Sequence, residues 1–219
     1  MLAEIDVMGR MESPCIVKYH DSFIAEENKV NIVMDFCERG DLHKLLKKRK
    51  DVTEKRKHNY LSENTVWNYF IQICIGLHHM HSNNILHRDL KTLNIFLTKD
   101  NKIKIGDLGV AKILENFENF VTSKVGTPYY LSPEVCEDRP YNNKSDIWSL
   151  GCVLYEICSL QHPFEAKNQA ALLLKIIKGK YESIPRIYSR SLAEIVHSCL
   201  VKDFKKRPTI QKILEMDIV

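Results

Sequence analysis

His87-Arg88-Asp89-Leu90-Lys91-Thr92-Leu93-Asn94, followed downstream by Asp107-Leu108-Gly109, sets two acids, an amide and a lysine at close, ordered offsets. A carboxylate such as Asp89 can accept the proton of an attacking hydroxyl, and the oxygens of Asn94 and Asp107 are hard ligands suited to magnesium. Lys91 is placed to steady a transferred phosphate. In phosphoryl transfer from Mg-ATP a protein does little covalent work; it positions a hydroxyl and neutralises phosphate charge. This set of side chains meets that need. A lone His-Arg-Asp would read as a salt-bridged turn, so the weight rests on the joint order of Asp89, Lys91, Asn94 and Asp107.

The elements that would carry these residues can be read from pattern. Leu2, Ile5, Val7, Met8 and Met11 recur at near-helical spacing and stop at Ser13-Pro14, because the residue before a proline avoids helix. Two β-like runs, residues 16 to 24 and 29 to 36, flank the polar Ala25-Glu26-Glu27-Asn28 and predict a hairpin. Ser62 caps a predicted long helix whose Val66, Phe70, Ile73, Leu77 and Met80 form one stripe. Residues 85 to 97 read as a β-rich patch interrupted by the polar set, and 101 to 105 alternate like a strand. From Asp146 onward the chain turns helical. Residues 147 to 158 predict a buried, nearly all-apolar helix, and amphipathic segments follow near 169 to 178, 191 to 201 and 209 to 216, the last capped by Thr209. A little β followed by mostly α is an α+β arrangement.

Composition narrows the class further. At 219 residues with 44% hydrophobic content, the chain fits one large domain or two small lobes with a true core. No apolar run approaches the roughly 20 residues of a membrane span, and Met1-Leu2-Ala3-Glu4 lacks signal-peptide character. A cytoplasmic location is expected, with no membrane partner. Seven cysteines without a C-x-x-C pair predict reduced thiols, and Asn143-Lys144-Ser145 is discounted as a glycosylation acceptor on the same ground. His78, His79 and His81 read as helix-surface residues, having no acid or cysteine nearby at ligand spacing. The net charge of +4 traces mainly to residues 47–50 and 55–58, a run that reads as a solvated loop. Nucleic-acid binding through it is disfavoured, because Tyr60 is the one aromatic close by.

The loop at His87 to Asn94 resembles the H-R-D-x-x-x-x-N catalytic loop of protein kinases, and Asp107-Leu108-Gly109 resembles their D-F-G, with Leu for Phe. Lys91 matches the Ser/Thr-specific branch. The resemblance implies an activation segment from Asp107 to Glu134, phosphorylated at Ser123 or else Thr122 and ordered through Arg88. Thr127 would face the substrate near Asp89 and Lys91. Glu134, in Ser132-Pro133-Glu134, would pair structurally with Arg207, and Asp146 is likewise structural. For the nucleotide, Met34 resembles a gatekeeper, Asp35-Phe36-Cys37 a hinge, Asp41 a ribose contact, Phe96 the floor under the purine, and Glu4 the helix glutamate that pairs with the phosphate-binding lysine. Met8, His87 and Leu108 would stack into a spine linking the lobes. ATP and Mg2+ are the implied cofactors, and protein Ser/Thr side chains the implied substrates.

The runs Ile32-Val33-Met34-Asp35-Phe36-Cys37-Glu38-Arg39-Gly40-Asp41-Leu42 and Gly126-Thr127-Pro128-Tyr129-Tyr130-Leu131-Ser132-Pro133-Glu134 look like the NIMA-related branch, whose roles suggest cytoskeletal, ciliary or nuclear association. Arg39 and the basic stretch near 47 to 58 depart from that pattern. The implied fold is protein-kinase-like: a partial N-lobe over residues 1–36 (one helix and two strands), a hinge at 37–41 and a mainly helical C-lobe over 42–219. The chain carries no Gly-rich phosphate loop and no third-strand lysine ahead of Glu4. Its N-lobe is therefore expected to be marginal, since the hinge strand has an unpaired edge. The alternative function is a catalytically impaired pseudokinase or docking module, against which the intact Asp89, Lys91, Asn94 and Asp107 count. With no coiled-coil segment in the chain, a monomer is expected.

Overall fold

The computed structural model describes residues 8–25, 29–55, 59–107 and 128–217. Glu4, Leu108, Thr122, Ser123 and Thr127 lie outside the described residues, as does most of the first predicted helix, of which residues 8–10 are helical.

The predicted hairpin forms from strands β1 (Tyr19–Ile24) and β2 (Val30–Met34), antiparallel, with a register shift between Tyr19 and Asp21. Its strands are shorter than the apolar runs that predicted them. Among the described residues no other strand joins this sheet, and Phe23, Ile24, Ile32, Val33 and Met34 stay exposed. The hairpin is tied to the rest through Asp35, whose N–H donates to the Lys18 carbonyl and whose carboxylate meets Lys104 Nζ at 2.9 Å.

Residues 47–55 of the basic stretch are not a loop. Residues Leu42–Lys55 form helix α1, because Leu42 and Leu46 are buried one turn apart and Lys and Arg are themselves good helix formers. Asp41 Oδ1 caps it by accepting the Lys44 N–H at 2.8 Å.

Helix α2 (Glu63–Ser82) follows with Ser62 as its N-cap, accepting the Thr65 N–H, and the predicted stripe Val66, Phe70, Ile73, Leu77 and Met80 is buried along it. Gly76 lets this helix lie close to the next sheet: a Cβ there would stand 2.9 Å from Ile105 Cδ1 and 3.0 Å from the Cys15 carbonyl oxygen. That sheet pairs β3 (Ile95–Leu97) with β4 (Ile103–Ile105), antiparallel. The expected β-rich patch from 85 onward is strand only over its last three residues. The backbone before them turns through positive φ at Arg88 (66°) and a 3-10 turn at Thr92–Asn94, so it cannot continue a ladder.

Helix α3 (Pro133–Cys136) is short. Helix α4 (Asn143–Ser159) is the axis of the core, buried at every residue from Ser145 to Cys158 and closed by a capping box between Asn142 and Ser145. Helix α5 (Gln169–Lys178) packs on α3, α6 (Arg190–Cys199) on α4 and α7 (Ile210–Leu214) on α2, with Asn168, Ser189 and Thr209 as N-caps. At Gly151, α4 approaches α6 so closely that a Cβ would lie 2.7 Å from Cys199 Cβ.

Candidate active site

The ladder between β3 and β4 pairs Ile95 with Ile105, and the Gly106 N–H continues it by donating to the Asn94 carbonyl at 2.9 Å. Asn94 and Asp107 are thereby brought to one end of the same two-stranded ribbon. Asp107 is exposed and holds φ at 48°, a conformation that Asp tolerates better than most residues.

Asp89 sits beside them. Its Oδ2 accepts Lys91 Nζ at 2.6 Å and Asn94 Nδ2 at 3.2 Å, while its carbonyl accepts the same amide at 2.9 Å. Both amide contacts use the Asn94 nitrogen, which leaves its oxygen free to meet a cation. Two adjacent oxygen-bearing side chains, one a carboxylate, fit magnesium, which takes few protein ligands and completes its shell with water and phosphate.

The loop's unusual backbone is held from below. Asp146, on the first turn of α4, accepts the His87 N–H on Oδ2 and the Arg88 N–H on Oδ1, both at 3.0 Å, and also binds His81 Nε2 at 2.7 Å and the Tyr141 hydroxyl at 2.5 Å. Burial pulls this carboxyl upward, yet His81, His87 and Tyr141 more than offset it and hold the group below the usual aspartate range. Positive φ at an arginine costs about 1–3 kcal/mol. Asp146 supplies the bonds that retain it. His81 is therefore not a helix-surface histidine, as its spacing suggested: the end of α2 packs over the start of α4, and its side chain is nearly buried against Asp146. His87 is fully buried, and that burial holds its imidazole neutral by lowering its pKa. Because Nδ1 accepts the Asp89 N–H at 3.3 Å, the ring proton resides on Nε2.

The nucleotide candidates differ widely in exposure. Residues 39–40 dock on β3 through Arg39 N–H to the Leu97 carbonyl and Leu97 N–H to the Gly40 carbonyl, which sets Asp41 opposite Phe96. Phe96 lies against Gly106, where a Cβ would be 2.7 Å from its ring. Asp41 is buried and committed to α1 and Lys44. Met34 is 48% and Phe36 82% exposed, and Cys37 is partly buried. The Asp35 side chain faces Lys104 and His20 instead of a pocket, and chiefly its bond to Lys104 holds its pKa at about 2. Met8 packs beside Met11, Ile16, Met80 and Ile85.

Glu134 and Arg207 meet in the core with Nη1–Oε1 2.7 Å and Nη2–Oε2 2.8 Å. Sequence reasoning passed over a second buried cluster. Glu156 accepts the hydroxyls of Tyr130 and Thr92, with His43 Nδ1 at 3.6 Å and His162 Nδ1 at 3.7 Å. Its signal was a lone acid inside the otherwise apolar run from 147 to 158.

The family description "Protein kinase domain" matches residues 1–219. The chain belongs to the protein kinase family. It is similar to three kinases of Mus musculus: serine/threonine-protein kinase Nek1, 44% identical over 99% of this chain and 17% of that protein; Nek4, 42% identical over 99% and 26%; and Nek3, 43% identical over 96% and 40%. It thus spans well under half the length of these curated relatives, all of them of the Nek group. The mixed α and β architecture is that of a kinase fold, and no described helix is long and apolar enough to cross a membrane.

Proposed function

We propose that this chain is the catalytic domain of a NIMA-related Ser/Thr kinase, transferring the ATP γ-phosphate to Ser or Thr hydroxyls of proteins. The observation that carries the reading is the Asp89 carboxylate held by Lys91 Nζ at 2.6 Å and Asn94 Nδ2 at 3.2 Å, next to Asp107 at the ribbon's end. Asp89 orients the attacking hydroxyl and accepts its proton; Lys91, already paired with Asp89, moves onto the transferred phosphate as nucleotide arrives. Asn94 and Asp107 would hold Mg2+, which when bound neutralises phosphate charge. The segment from Met34 to Cys37, with Asp41 and Phe96, receives the adenosine, and Glu4 belongs to the phosphate-binding lysine's ion pair.

In this reading residues 1–36 contribute to the N-lobe, 37–41 are the hinge and 42–219 the C-lobe, while Ser123 or Thr122 accepts the activating phosphate and Thr127 faces the substrate. A cytoplasmic setting, with cytoskeletal, ciliary or nuclear association, agrees with the seven unpaired cysteines. The test is Asp89→Asn in the full-length protein, with phosphate transfer to a Ser/Thr substrate measured alongside thermal unfolding. Transfer is expected to fall by at least about 10²-fold, the lower range for a general base, with melting little changed. A variant as fast as the native protein would overturn the assignment.

A further inference from the structure

Helix α1 carries a row of cations that the proposed reaction does not use. His43, Lys47 and Lys50 recur at i, i+4 and i+7 and so share one face of the helix, while Leu42 and Leu46 bury another. Lys47 is exposed and near enough to influence the charge of His43, and Lys50 that of His162. His162 comes from the chain beyond α4 and stacks on Tyr129 with ring centroids 4.0 Å apart and planes 8° from parallel. Helix α1 thus brings His43, Lys47 and Lys50 beside His162, whose pKa burial lowers, so the positive charge is that of α1.

The acid at the centre does not cancel them outward. Glu156 is 4% exposed and its oxygens are already engaged by Tyr130 and Thr92, with the two imidazoles close by. Asp41 also bears on His43, but it is spent on the α1 N-terminus and on Lys44. Glu165 bears on His162, which leaves the α1 side the more basic.

The cluster adjoins the candidate catalytic loop. Thr92 directly follows Lys91, and its Oγ1 lies 3.5 Å from His43 Nδ1 and 3.0 Å from the Tyr130 hydroxyl. Thr92 is three positions after Asp89, so their Cα atoms are at most about 11 Å apart. An extended peptide advances roughly 3.3 Å per residue. We infer that His43, Lys47 and Lys50 form a subsite for an acidic side chain of the protein substrate, roughly two to four residues from the accepted hydroxyl. The inference deepens the kinase reading and rests on it.

The full-length protein would be assayed on a peptide set in which Glu, Ala or Lys occupies successive positions on either side of a single Ser. At one or two adjoining positions Glu is expected to exceed Ala in kcat/KM by roughly five- to tenfold, the size a few exposed ion pairs supply. The preference should shrink with added salt. In Lys47→Glu/Lys50→Glu it should invert toward Lys at the same positions; Lys47→Glu alone, at an exposed site, should shift it part of the way. A flat profile, or a Glu preference that survives both variants, would overturn the subsite and leave the kinase reading standing. Transfer to no peptide at all would remove both.

Discussion

Arg207→Met tests how the helical core is held. The guanidinium is 1% exposed, and each of its N–H groups has an acceptor: Nε on the Val201 carbonyl at 2.7 Å, Nη1 on Glu134 and the Lys144 carbonyl, Nη2 on Glu134 and the Lys202 carbonyl. Its Cζ lies 4.9 Å from the centre of the Trp148 ring. Methionine keeps much of the volume but strands the Glu134 carboxylate with one remaining side-chain donor, the Ser145 hydroxyl at 2.7 Å. Removing one partner of a buried pair costs about 3–5 kcal/mol, and a chain of this size loses about 2–4 °C per kcal/mol. Melting should fall by about 6–20 °C.

The pH dependence gives the sharper check. Burial pushes the Glu134 carboxyl up, but Arg207 and Ser145 more than offset it, so in the native protein it titrates below its ordinary 4.5. Stability from this group is therefore present above about pH 4.5 and lost as pH falls through the folded-state value. In the variant, burial acts without the guanidinium and the sign reverses: protonation relieves the stranded charge. The stability gap between the two proteins, read from urea unfolding, should narrow steadily from pH 7 toward 4.5. Adding Glu134→Leu to the variant should recover part of the loss, the freed carbonyls setting the remainder. A cost below about 1 kcal/mol, or a gap unchanged across that range, would refute the account.

Asp146→Asn keeps the shape of a side chain that accepts four bonds but turns one acceptor into a donor; the loop at Arg88 should relax and phosphate transfer fall by about 10²-fold in steady-state kinetics, as for a small misplacement of catalytic groups. Gly151→Ala drives a methyl to 2.7 Å from Cys199 Cβ and 2.9 Å from Leu200 Cδ2, so α4 and α6 must separate. That should cost about 1–3 kcal/mol by urea unfolding without altering substrate preference.

What could be read in advance was whatever repeats within one element. The stripe on α2 and the apolar run of α4 are statements about neighbours three and four positions apart, and both emerged, the first with its expected Ser62 cap in place. The offsets of Asp89, Lys91 and Asn94 were legible for the same reason, because a short turn brings them into contact. Reading failed where charge was taken as a sign of irregular chain. Residues 47 to 50 look like a solvated run, yet Leu42 and Leu46 one turn apart decide the conformation and the lysines lie on the outer face.

The partners of the polar hubs were illegible for a different reason. Asp146 gathers donors from His81 and His87, 65 and 59 residues earlier in the chain, and Glu156 gathers Thr92 and Tyr130 from 64 and 26 residues away. No local period encodes such a meeting. What the sequence does show is that each hub is an acid on a helix otherwise fit for burial. A carboxylate cannot remain charged inside a core without donors, since desolvation would raise its pKa until it neutralised. An acid in an apolar helix is thus a demand for partners to be met elsewhere, and here the partners are the ends of the candidate catalytic loop itself. The buried helix α4 is both the centre of the core and the floor that sets Arg88 at positive φ on one side and Thr92 on the other, so the candidate site inherits its geometry from the most protected element of the fold.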